Sequence, residues 1–193
     1  MKTRESGMPD EARWESFFDP AKALALLGLT PEARDVVEFG CGYGTFTMAA
    51  ARLVRGPIHA FDIESDLVVT VRGKARQGGL SNVVCEVRDF VEQGTGLAAA
   101  TADYAMLFNI LHDEQPEVLL REAWRVLRPL GRLGIMHWNY DPSTPRGPSL
   151  SIRPRPEDCR VWAEAAGFQL LAPGIINLPP YHYGMVMGKG AGG

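Results

Sequence analysis

A chain of 193 residues, 46% of them apolar and 22% charged, has the composition of a globular domain and enough length to bury a substantial core. Its net charge of −3 speaks against a nucleic-acid backbone as the main partner, because phosphate binding needs clustered Lys and Arg. No apolar run of roughly 20 residues marks a membrane span, no cationic start with an apolar run marks a signal peptide, and the scattered Cys41, Cys85 and Cys159 suggest a reducing cytoplasm rather than a disulfide frame or a metal site.

In chain order, residues 1–12 are expected to be mobile, ahead of an aromatic cluster of Trp14, Phe17 and Phe18 that must cover something. Two hydrophobic periods then alternate. Strand-like runs fall at 36–39, 58–61, 83–87, 104–108 and 133–138, with helix-spaced stretches at 46–54, 67–77 and 118–127 between them. Gly56-Pro57, Gly78-Gly79 and Pro129-Leu130-Gly131 separate helix from strand. Strands alternating with helices pair in parallel through crossovers, which gives an α/β, doubly wound sheet with helices on both faces. Beyond residue 141 the pattern changes. A Pro-, Ser- and Arg-rich loop to 156 precedes a helix at 157–166. Two strands at 168–171 and 183–187 have no crossover helix between them and should pair antiparallel. The tail at 188–193 is expected to fray, and the whole of 1–193 reads as one domain.

The strongest motif is the strand Val36-Val37-Glu38-Phe39 running into Gly40-Cys41-Gly42-Tyr43-Gly44 and then into a helix. Glycine lets the backbone turn sharply and a ligand press against it, at the strand end where open α/β sheets bind ligands. A dinucleotide fingerprint needs its third glycine at position 45, where Thr45 stands, and no Gly-Lys-Ser/Thr follows, so neither a dinucleotide nor a phosphate loop fits. Glu38 at the strand tip disfavours a pyrophosphate and suits a ligand that carries positive charge.

Two further strands end in acids. Asp62, followed by Ile63, is placed to accept ribose hydroxyls. Asp89 can accept from an adenine amino group, with Phe90 or Ile63 packed on the base. Either aspartate could instead cap the helix that follows it. Three acids at three successive strand ends behind one glycine loop are hard to explain by capping alone.

Together these residues resemble the class I S-adenosylmethionine (SAM)-dependent methyltransferases, in particular the small branch similar to ubiquinone/menaquinone-type (type 11) enzymes. The resemblance covers roughly Trp14 to Trp138. It rests on Glu38 to Gly44, Asp62, Arg88-Asp89-Phe90, Ala102 to His112, and Leu120 to Leu133, where Leu130 stands at the middle of a turn that is usually Pro-Gly-Gly. It implies a Rossmann-like sheet of seven strands, mostly parallel with the last antiparallel, and SAM as cofactor with S-adenosylhomocysteine (SAH) as product. It assigns Glu38, Phe39, Gly40, Cys41, Gly42 and Gly44 to the methionine part, Asp62 to the ribose, Asp89 and Phe90 to the adenine beside Ile63, and the backbone of Asn109 to the amino-acid end. Trp14 and Phe18 would close over the site.

Methyl transfer then needs alignment and exclusion of water, and a base only where the acceptor arrives protonated. His112, just after the fourth strand, is the first candidate, followed by His137, Tyr140, Tyr181, His182 and Tyr183. Arg146, Arg153 and Arg155 could line an acceptor pocket, and His59 should lie in the core. No Asn-Pro-Pro-Tyr follows strand four, which argues against DNA amino groups as acceptors. The expected function is methyl transfer to a small molecule. The rival is a non-catalytic SAM-binding protein that acts as a sensor or partner subunit.

Overall fold

The computed structural model describes residues 8–191. Its elements run α1 (Glu11–Glu15), α2 (Pro20–Leu26), β1 (Val36–Phe39), α3 (Thr45–Leu53), β2 (Ile58–Asp62), α4 (Ser65–Gln77), β3 (Val83–Val87), α5 (Phe90–Gln93), β4 (Ala102–Phe108), α6 (Pro116–Val126), β5 (Leu127–Trp138), α7 (Pro156–Ala165), β6 (Gln169–Leu170), β7 (Ile176–Leu178) and β8 (His182–Gly188). The sheet order is β3-β2-β1-β4-β5-β8-β6. The first five strands pair in parallel and β8 is antiparallel to β5.

The fold class is the one the alternating pattern implies, with one added strand. The edge that pairs with β8 is broken in two. Leu170 lies opposite Met187 and Ile176 opposite Gly184, so the edge spends more residues than β8 does between those points. Pro173 falls in the excess, and proline cannot donate to a ladder. The expected last edge strand therefore becomes β6 and β7.

Period-two alternation sorts the strand side chains onto two faces. Val37, Phe39, Ala105, Leu107, Leu133 and Ile135 meet α6 and α7 on one side. Val36, Ile58, Tyr104, Met106 and Met136 meet α2 and α3 on the other, where α4 covers Ala60. Gly134 makes room for the Tyr104 ring, since a Cβ there would stand 2.1 Å from the hydroxyl. That hydroxyl donates to the Leu27 carbonyl at 2.7 Å and ties the end of α2 to the sheet. His59, expected in the core, is half-buried at the opposite end of β2, 3.7 Å from Asp35.

Of the front stretch expected to be mobile, residues 1–7 lie outside the described residues. From there on it is held. The Tyr43 hydroxyl donates to the Pro9 carbonyl, Asp10 caps α1 through the Arg13 N–H, and Glu11 pairs with Lys74. Asp19 likewise caps α2, whose first residue is Pro20. The aromatic cluster behind α1 covers the end of β5: Phe17 and Phe18 both pack on Trp138. At the tail, Gly188 belongs to β8, and Lys189 bonds the Gly131 carbonyl with its N–H and the Trp124 and Leu127 carbonyls with Nζ. Residues 192–193 lie outside the described part. Among the described residues no helix is long and apolar enough to cross a membrane.

Candidate active site

Strand order reverses between β1 and β4, the place where a doubly wound sheet leaves a crevice outside its carboxyl ends. The glycine loop forms the floor there. Gly40, Gly42 and Gly44 have φ of +75°, +52° and +80°, left-handed values that only glycine adopts at little cost. The N–H groups of Gly40 and Cys41 both donate to the Phe61 carbonyl, at 2.9 and 3.0 Å, which folds the loop over the tip of β2. Gly44 then starts α3.

Above this floor lies an open cleft of about 800 Å³. Gly40 and Gly42 line it from the loop. Asp62 and Ile63 line it from the end of β2, Asp89 and Phe90 from beyond β3, Asn109 and His112 from beyond β4, and Met8 and Trp14 from the front of the chain. Eight of the expected residues are thus brought together.

Asp62 is 6% exposed. Its Oδ2 accepts the Gly42 N–H at 2.8 Å and its Oδ1 the Glu64 N–H at 3.0 Å, so it locks the loop to the end of β2. Burial pushes its carboxyl above the usual range, and each oxygen keeps a second lone pair for a ligand hydroxyl. Asp89 caps α5, with Oδ1 accepting the Val91 and Glu92 N–H groups at 3.2 Å. Capping and a place in the cleft wall prove compatible for this residue. Asn109 has φ +57°, and its N–H donates to the Met136 carbonyl at 2.7 Å. Its side-chain Oδ1 and Nδ2 are both buried without a hydrogen-bond partner. An orphaned amide costs about 1–3 kcal/mol, and this one belongs to a residue that lines the cleft.

The other four expected residues stand behind the wall rather than in it. Glu38 points to the α3 face of the sheet, 3% exposed, and accepts the Thr47 hydroxyl. Burial pushes its carboxyl up to about 8. Phe39 faces the opposite core and supports Phe90 edge-on at 5.5 Å. Cys41 points beneath the loop, its Sγ 3.7 Å from Cys85 Sγ. Gly44 serves as the N-cap of α3.

Met8, Arg88, Ile110 and Asp113 also line the cleft and were not singled out as site residues from sequence. Only Arg88 carried a signal, as the neighbour of Asp89. Its Nε is buried without a partner. Of the loop arginines, Arg153 holds the loop rather than a pocket, donating to the Asn139 and Pro148 carbonyls and to Thr144 Oγ1 at 2.9, 2.7 and 2.6 Å. Arg155 lies 3.8 Å over the Tyr140 ring.

On the acceptor side, His112 Nδ1 is 3.3 Å from Nε2 of His137, at the end of β5. His137 is fully buried. Burial lowers the pKa of both rings, so both are neutral at pH 7.

Comparison with known proteins fits this geometry. A methyltransferase-domain family model matches residues 36–131. The ubiquinone/menaquinone biosynthesis C-methyltransferase UbiE of Bradyrhizobium diazoefficiens is 38% identical over 122 residues, which is 58% of this chain and 46% of the relative. The chain therefore spans about half the length of that curated relative. A SAM-dependent methyltransferase from Aquifex aeolicus superposes over 93% of both chains, with a TM-score of 0.81 and 25% identity. The chain belongs to the class I SAM-dependent methyltransferases. The [4+2]-cyclase SpnF shares the fold, covering 97% of this chain and 85% of its own, with a TM-score of 0.77 at 17% identity. SAM is the cofactor of the family, and bare glycine backbone, buried carboxylates and an unpaired amide at the cleft wall are donors and acceptors that suit it.

Proposed function

We propose that the chain, folded as a single domain, transfers a methyl group from SAM to a small-molecule acceptor in the cytoplasm. That Asn109, whose buried amide has no partner, lines the same cleft as Gly40, Gly42 and Asp62 carries this reading. Asp62 accepts the ribose hydroxyls, Asp89 takes the adenine amino group, and Ile63 and Phe90 sandwich the base. Gly40 to Gly44 and Asn109 receive the amino-acid end, while Glu38, kept protonated by burial, braces α3 behind the loop through Thr47. When bound, SAM supplies a methyl carbon already activated by a sulfonium leaving group. The protein's part is to hold that carbon in line with the acceptor and keep water out, which can lower the barrier by several kcal/mol. Met8 and Trp14 cover the cleft for the second purpose.

The acceptor sits by His112, which takes its proton. The C-methyltransferase name of the UbiE relative favours an acceptor that ionises before it attacks, and the cleft is too small for a macromolecular one to be enclosed. Three free, buried cysteines suit a reducing compartment.

Mass spectrometry of ligands released from the purified protein, followed by a metabolite screen with labelled methyl donor, tests this function. The expected result is retained SAM or SAH and one labelled small-molecule class. Retained SAM without transfer to any acceptor would favour a non-catalytic sensor or partner subunit. No bound nucleoside, and no heat on titration with SAH, would reject the cofactor site.

A further inference from the structure

The register of β4 with β5 sets Phe108 opposite Met136. His112, a short turn beyond β4, can therefore reach His137, one residue further along β5. Their rings meet edge to face at 77°, Nδ1 of His112 to Nε2 of His137 at 3.3 Å. His137 is 0% exposed, its Nδ1 has no hydrogen-bond partner, and its ring stacks on Tyr183. A fully buried imidazole with one unpaired nitrogen is costly, and the pairing with His112 is the contact that accounts for its orientation. His112 lines the cleft.

We propose that His137 is a positioning residue. It accepts the His112 Nδ1–H at its Nε2 and so leaves the lone pair on His112 Nε2 as the base for an oxygen acid, a phenol or enol, in the cleft. This rests on the methyltransferase reading above. One proton is shared at the contact, so the tautomer of one ring fixes that of the other, as an orienting partner does behind a catalytic histidine. In the reaction the acceptor O–H proton passes to His112 Nε2. The acceptor, through its oxygen or the conjugated carbon, forms the bond to the methyl carbon, and the electron pair of the broken carbon–sulfur bond stays on sulfur. The imidazolium, held by its Nδ1–H bond to His137, later releases the proton to water. Around the pair, Asp113 favours a charged His112, while Arg153 acts against charge on both rings and His182 against it on His137. The pair is thus neutral at rest and can take up one proton.

Imidazole ¹⁵N NMR on the full chain, with and without SAH, reads this directly. The expected result is His112 protonated at Nδ1 and bare at Nε2 in the wild type. His137→Phe should return it to the Nε2–H form that free imidazole favours, and His137→Gln, whose amide oxygen can accept, should restore the wild-type pattern. A wild-type His112 protonated at Nε2, or a tautomer that ignores both substitutions, overturns the proposal. The wild-type spectrum decides even where a variant fails to fold. In the labelled-donor screen phenols or enols should be the labelled class; labelling of amines or thiols alone overturns the acceptor assignment. SAH calorimetry on the wild type separates the two failures, since an absent heat rejects the cofactor site whatever the tautomer.

Discussion

Asp62→Ala is expected to weaken SAH and SAM binding by about 1–3 kcal/mol, roughly five- to 150-fold in Kd. The carboxylate receives the Gly42 and Glu64 N–H groups, and in the proposed function its remaining lone pairs would receive the ribose. Alanine leaves two backbone donors without an acceptor at a site only 6% exposed, so the glycine loop loosens as the ligand hydroxyls lose their partner. Asp62→Asn keeps one acceptor oxygen and should fall between. Calorimetry on the three proteins checks the order; equal affinities would remove Asp62 from the site.

The second large effect is in stability against pH. Burial raises the Glu38 carboxyl from 4.5 to about 8. Between those values the folded protein holds a proton that the unfolded chain has released, so stability falls as pH rises, by ~1.4 kcal/mol per unit, and levels off above about pH 8. The histidines oppose this at the acid end. His112 and His137 are lowered and His182 is pushed to about 3, all by burial. Below 6.5 the unfolded chain takes up their protons first, and stability is lost as pH falls. Three groups outweigh one there, so stability should climb to a maximum between about pH 6 and 7 and then decline toward 8. Glu38→Gln removes the decline. At pH 8 the variant should exceed the wild type by on the order of 3–5 kcal/mol. Urea denaturation of both proteins from pH 5 to 9 tests it. A wild-type curve that stays level from pH 6.5 to 8 would contradict the buried, protonated Glu38.

The strands and longer helices were legible because each repeats its period long enough to be counted. α1, α2 and α5 are too short for that. Each starts at a capping aspartate, Asp10, Asp19 and Asp89, of which only Asp89 was weighed from sequence, as a cap or a ligand. β7 exists only through its pairing with β8. At the site, the strand tips placed Asp62, Asp89 and Asn109, since an α/β sheet puts its crevice at those ends whatever the details. The resemblance assigned Glu38 and Cys41 to the cofactor, yet alternation along β1 turns Glu38 toward α3, and the loop tucks Cys41 against Cys85. The His112–His137 contact was out of reach, because it joins the turn after β4 to β5 through a register that no local pattern fixes.

The central claim is that the carboxyl ends of β1, β2, β3 and β4 hold the adenosyl cofactor. A crystal structure of the protein grown with saturating SAH tests it most directly. The account predicts the ribose on Asp62, the base between Ile63 and Phe90, and the amino-acid end over Gly40 and Gly42 beside the Asn109 amide. A nucleoside bound elsewhere, or a cleft that stays empty at saturation, would contradict it.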